Sequence, residues 1–155
     1  MCRVRAAPAG NRIVVPGAAR TRRREVLREP MTDTLLIRLK FGSRSWNQWR
    51  EENPDVAITL DGAKLDGMIL TGIDFSHASL RGASMHATNL MNADLRHANL
   101  AGANLAEADL IGANLEGAIL RGATLREADL LGANLAGAQY TGDDLTGALH
   151  VPPAK

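Results

Sequence analysis

The chain has a single cysteine, Cys2, which excludes an intrachain disulfide and sets the expectation of a cytoplasmic protein. Long apolar runs are missing as well. None reaches the ~18 residues a bilayer-spanning helix needs, so no membrane span is expected. The piece IVVPGAA is short and broken by Pro16. Arg22-Arg23-Arg24 leads into EVLREP rather than into an apolar stretch. Neither makes an export signal. Glycine is plentiful, yet no phosphate-cradling loop is present. The glycines keep a five-residue beat instead of marking a strand-to-helix turn.

A net charge of +1 conceals an asymmetry. Residues 1–30 hold eight arginines against two glutamates, and residues 31–155 hold ten Lys and Arg against fifteen Asp and Glu. The folded part is therefore mildly acidic. Residues 1–30, rich in Arg, Ala, Pro and Gly and without apolar periodicity, read as a disordered basic tail. The composition changes sharply at Met31. That makes Met31 a candidate native start, with the preceding residues outside the native protein. Mass spectrometry of the native N-terminus tests this, and a peptide containing Ile13 refutes it.

Residues 31–57 read as an N-terminal capping segment. TLLIRLK has the look of a short strand, and SRSWNQWREENP of a short helix. Ser43 or Ser45 is its candidate N-cap, Trp46 and Trp49 share one face, and Pro54 stands just past its end. The tryptophans are expected to plug the end of the repeat that follows, since repeat arrays need caps.

Residues 58–147 are that repeat. In ADLIGANLEGAILRGATLREADLLGANLAGA, which begins at Ala108, leucines recur every five residues. Five fits neither the period of a helix nor that of a strand. Eighteen units run from the one centred on Leu60 to the one centred on Leu145, without insertion or deletion. A small residue, mostly Ala, lies two before each centre, Asp or Asn often lies one before, and Gly often lies two after. One unit alone cannot bury its leucine, but stacked units can, which is the logic of a solenoid. The centre and the small residue point inward, and Asp or Asn can hydrogen-bond nearby turn amides. Residues 148–155 form a short C-terminal tail.

The succession Ala, Asp or Asn, Leu, any residue, Gly over residues 58–147 resembles the pentapeptide-repeat family. WNQWREENPD followed by LDGAKLDG is similar to the N-terminal lead-in of some bacterial members. The resemblance implies an all-β fold, a right-handed quadrilateral β-helix with four units per coil, here preceded by a short capping helix. Residues twenty apart then stack. Four and a half coils at the usual strand spacing make a rod about 22 Å long.

Stacking by twenty aligns Thr71, Met91, Ile111 and Leu131 on one outer face. Met91, Ile111 and Leu131 are the candidate partner-binding residues, because an exposed apolar stripe often marks an interface. Other alignments put Asp61 by Arg81, Arg96 by Glu116, and Glu107 by Glu127 with Arg126 near. His77 and His97 stack without a clear third ligand, so no metal and no cofactor are expected. Ser76 and Ser79 lie near His77, but on a convex wall. A core filled by leucine leaves no cavity for substrate, so no catalytic residue is assigned and no enzyme is expected.

The expected role is a small rigid protein-interaction scaffold with an unidentified protein partner. Self-association as a homodimer is a further expectation. Either the tail folds over the C-terminal end of the rod or two rods meet there. Direct nucleic-acid binding by the repeat is not expected. The alternative, which the resemblance implies, is an acidic DNA mimic that binds DNA gyrase. Residues 55–150 carry twelve acids against five bases. Four arginines interrupt that surface, the rod is short, and no dimerisation helix follows Leu145.

Overall fold

Parallel bridges join residues twenty apart along the repeat, from Thr59–Ser79 through Asn99–Ile119 to Ile119–Gln139. The computed structural model describes residues 31–153, so the readings of residues 1–30 lie outside the described residues. A twenty-residue rise means four five-residue units per coil. Each unit hydrogen-bonds in both directions. Leu100 N–H donates to Ile119 O at 2.8 Å in the next coil, and Asn99 N–H donates to Ala78 O at 2.9 Å in the previous one.

The centres fill the axis. All fifteen from Leu60 to Leu130 are at most 1% exposed, Leu100 and Leu120 among them. The small position packs beside them. Thr88 is the one buried polar side chain among the described residues, and its hydroxyl donates to Leu65 O at 2.9 Å, so its burial leaves no unpaired donor.

Corners follow from two devices. The residue two after the centre has positive φ in seventeen of the eighteen units, and Gly142 is the exception at −58°. The residue one before the centre ties down the turn. Asn99 Oδ1 accepts from Ala101 N–H and Asn104 Oδ1 from Ala106 N–H, both at 3.1 Å. Ser79 and Ser84 occupy that position without a carbonyl of their own. There a carboxylate one coil back substitutes: Asp61 accepts from Arg81 N–H at 3.0 Å and Asp66 from His86 N–H at 2.9 Å.

Residues 31–57 differ from the sequence reading in two places. TLLIRLK is helical through Leu39, the end of α1 (Met31–Leu39). Leu35 and Leu39, four apart, are both buried. One turn of helix thus aims two leucines at the core and pairs its own backbone, whereas a strand would need a ladder partner for its amides and carbonyls. The second helix, α2 (Gly42–Glu52), starts earlier than Ser43 or Ser45 would set it, and Phe41 precedes it with no side-chain cap. The Lys40–Phe41 turn, closed by Phe41 N–H to Arg38 O at 3.0 Å, joins the helices directly.

α2 seals the first coil with side chains. In interior coils the backbone of each side pairs with the coil before it. At residues 72–76 no coil comes before, and Trp46, Asn47 and Arg50 take its place. Trp46 Nε1 donates to Asp74 O at 2.8 Å, Asn47 Oδ1 accepts from Asp74 N–H at 2.9 Å, and Arg50 donates to Ser76 O at 3.0 Å. Trp46 also meets Phe75 edge-on at 5.4 Å and Trp49 at 5.5 Å. The exposed edge of a sheet invites foreign strands, and these bonds close it along residues 72–76.

The other end is less regular. Leu135, Tyr140 and Leu145 are only partly buried, and Asp143–Leu145 form a 3₁₀ turn where a bridge from Thr124 would otherwise fall.

Candidate functional site

An outward ladder forms wherever equivalent positions stack, so the wall of the solenoid is a set of parallel columns. Met91, Ile111 and Leu131 share one of them. Gly72 N–H bonds Met91 O, Asn92 N–H bonds Ile111 O, and Gly112 N–H bonds Leu131 O, at 2.8, 2.9 and 2.8 Å. Met91 and Ile111 are half-buried, and Leu131 is 52% exposed. The three candidate residues therefore form one continuous apolar line.

The apolar surface extends beyond the three candidate residues. Leu149 bridges to Asp129 and is exposed. The chain then turns out of the five-residue beat at His150, whose backbone is left-handed at φ +50°. Ile69, the most exposed large hydrophobic residue described at 76%, begins the column that Leu149 ends. The same twenty-residue arithmetic, applied to positions 69 and 149, would have found both.

That neighbouring column runs Ile69, Asn89, Asp109, Asp129, Leu149, with bridges 69–89, 89–109, 109–129 and 129–149. Asp109 Oδ1 accepts from Ile111 N–H at 3.1 Å. Asp129 Oδ1 accepts from Leu131 N–H at 2.9 Å and lies 2.8 Å from His150 Nδ1. The Leu131 amide, and then His150, hold the Asp129 carboxyl below the ordinary value. At the corner beyond stand Glu107 and Glu127, each with left-handed backbone. Glu107 faces His86 at 3.4 Å and Glu127 faces Arg126 at 3.1 Å.

The charge alignments are partly rearranged. Arg96 does not pair with Glu116 one coil on. It bonds Asp94 in its own unit, at 2.6 Å to Oδ2, because the single intervening residue, inward-facing Leu95, leaves both side chains on the outer side of the turn. Asp61 receives Arg81 through the backbone amide, not through the guanidinium. Arg126 does approach Glu127.

His77 and His97 stack with ring centroids 5.0 Å apart. Among the described residues, no group of three or more His, Cys, Asp and Glu is placed to hold a metal ion. Ser76 and Ser79 donate their hydroxyls to Asp74 and Asp61, which leaves neither poised against His77. A cleft of about 510 Å³ lies at the C-terminal end, outside the leucine-filled core, because the last coil is incomplete there. Leu135, Tyr140, Pro152 and Pro153 help to line it, and among the described residues its only titratable side chain is the Tyr140 phenol. No helix among the described residues is long and apolar enough to cross a membrane.

Comparison with known proteins agrees with this architecture. The family model described as pentapeptide repeats matches in eight copies, over residues 60–96, 88–126 and 120–148. No curated protein matches. Among solved structures, a pentapeptide repeat protein of the Arabidopsis thaliana thylakoid lumen is 34% identical, over 54% of this chain and 59% of that one, with a TM-score of 0.53. HetL, a pentapeptide repeat protein involved in heterocyst differentiation regulation in the cyanobacterium Nostoc, is 43% identical over 56% of this chain and 38% of its own, with a TM-score of 0.48. QnrB1, a plasmid-mediated fluoroquinolone resistance protein, is 24% identical over 52% of this chain and 42% of its own, with a TM-score of 0.30. Proteins of this family are right-handed quadrilateral β-helices. With more than half of its residues matched and every described coil closing after four five-residue units, this chain belongs to the pentapeptide-repeat family.

Proposed function

We propose that this protein is a non-enzymatic interaction scaffold, a short rigid rod that recognises a protein partner through the Met91–Ile111–Leu131 column. The observation that carries this reading is the continuous apolar line itself, exposed at Leu131 and flanked by exposed Leu149 on a wall that is otherwise mostly polar. Stacked backbone fixes the spacing of these side chains, so little conformational freedom is lost when a partner docks. The serines beside His77 are bonded to carboxylates, and among the described residues the cleft at the C-terminal end carries no acid–base pair. Both features favour binding over catalysis. The single cysteine fits a cytoplasmic setting for this role.

Affinity capture from native extract tests the reading, using the wild type, Leu131→Asp and, as a control on another face, Arg121→Asp. A protein retained by the wild type and by Arg121→Asp but lost with Leu131→Asp supports the column as the interface. Equal capture by all three rejects it. Light scattering on the same variants identifies the case in which the partner is a second copy of this chain.

A further inference from the structure

The side of the rod that carries the apolar column has a strong bias of charge. Its columns read Gly67, Ala87, Glu107, Glu127, Gly147 at the corner, then Ile69, Asn89, Asp109, Asp129, Leu149, then Thr71, Met91, Ile111, Leu131. Four carboxylates and no lysine or arginine stand in these three columns. The acids are not spread evenly. They flank Ile111 and Leu131 on one side only. Asp109 and Asp129 each use Oδ1 for the turn amide, and Oδ2 of neither has a protein partner among the described residues. The basic side chains beside these carboxylates are Arg126 at Glu127, His86 at Glu107 and His150 at Asp129.

The spacing along the column also selects a shape. Successive rungs are about 4.8 Å apart, the separation of paired strands. Side chains on one face of a strand laid along the axis recur at about 6.6–6.8 Å and fall out of step within two rungs. Apolar residues three or four apart on an α-helix rise about 4.5 or 6 Å, so a helix along the axis keeps step over three rungs.

Resting on the scaffold reading, we infer that the partner element is an amphipathic α-helix with a basic flank. It lies along the rod axis with its apolar stripe on Met91, Ile111 and Leu131 and its Lys or Arg flank over Asp109, Asp129, Glu107 and Glu127. The apolar stripe supplies the buried contact, and the carboxylates set which way round the helix lies and speed its encounter.

Two synthetic helical peptides of about 18 residues, with the same leucine stripe and either Lys or Glu along one flank, test this by fluorescence anisotropy. The Lys-flanked peptide is expected to bind wild type at least about tenfold more tightly than the Glu-flanked one, and more weakly as salt rises. Leu131→Asp abolishes its binding, and the combined Glu107→Gln, Asp109→Asn variant reduces the preference for lysine. Ile111→Ser serves as a second apolar variant if Leu131→Asp melts early. Equal affinity for both peptides, or no binding of either, overturns the basic helix while the scaffold reading stands on its capture experiment. Undiminished binding to both Leu131→Asp and Ile111→Ser overturns the two together.

Discussion

The imidazole of His97 lies over Gly117, one coil further on, so closely that a Cβ added at 117 would collide with Nδ1. Gly117 also has φ +65°. Gly62, at φ +66°, has the same backbone but open space around it. Gly117→Ala and Gly62→Ala both incur the left-handed penalty of about 1–2 kcal/mol. Gly117→Ala is expected to cost more, and the excess should vanish in a His97→Ala background. Urea unfolding of the wild type, the three single variants and the His97→Ala/Gly117→Ala double variant measures this.

Ala87 occupies the same turn position at φ +53° without a polar side chain to compensate. Ala87→Gly is expected to raise stability by about 0.5–1 kcal/mol, relief of the left-handed strain being offset partly by a more flexible unfolded chain. Asn92, at φ +54°, tolerates this region better. Asn92→Gly should therefore change the unfolding midpoint less than Ala87→Gly does.

Asn47 holds the first coil with both ends of its amide, donating to Gly72 O and accepting from Asp74 N–H, each at 2.9 Å. Asn47→Leu leaves an edge amide and carbonyl unpaired beside Trp46. A loss of about 1–3 kcal/mol is expected. Hydrogen exchange should then accelerate at Asp74 while remaining slow at Leu100.

Leu100 sits mid-rod and fully buried, whereas Leu145 near the frayed end is only partly covered. Leu100→Ala is expected to cost about 2–5 kcal/mol. Leu145→Ala should cost clearly less. Equal losses measured by thermal or urea unfolding would contradict the difference in packing between the two ends.

Acid should weaken the fold. Hydrogen bonds hold Asp66, Asp94, Asp129 and Asp144 below the ordinary carboxyl value of 3.8, from Ser84 at Asp66, Arg96 at Asp94 and backbone amides at Asp129 and Asp144. The unfolded chain therefore takes up protons first as pH falls. The stability these groups confer is complete above the unfolded value and is lost as pH drops through the lower native values. The melting temperature should change little from pH 7 to about 5 on their account and fall below about pH 4. Asp94→Asn, which also removes the Arg96 pair, should make that acid slope shallower.

How much was legible in advance differs from element to element. Leucines at intervals of five announced the solenoid, since only mutual stacking buries them all. Asp and Asn before the centre announced the turn bonds, as at Asn99 and Asn104. TLLIRLK was ambiguous because Leu35 and Leu39 suit a helix face while the local alternation also suits a strand. Neighbouring residues could not settle it. The leucines it must bury against, and the direct turn into α2, lie outside that segment. Asn47 and Arg50 carried no signal in the local pattern, where they read as polar helix surface. Their roles depend on which backbone groups the first coil leaves open.

The amino-acid order by itself determined the interior and the beat of the corners, because those depend on contacts repeated identically along the chain. Which arginine meets which carboxylate, how α2 closes the first coil, and the pairing of His150 with Asp129 were decided only by tertiary structure. Each depends on the placement of side chains that are distant in sequence or mobile about several bonds, and the five-residue pattern does not constrain it.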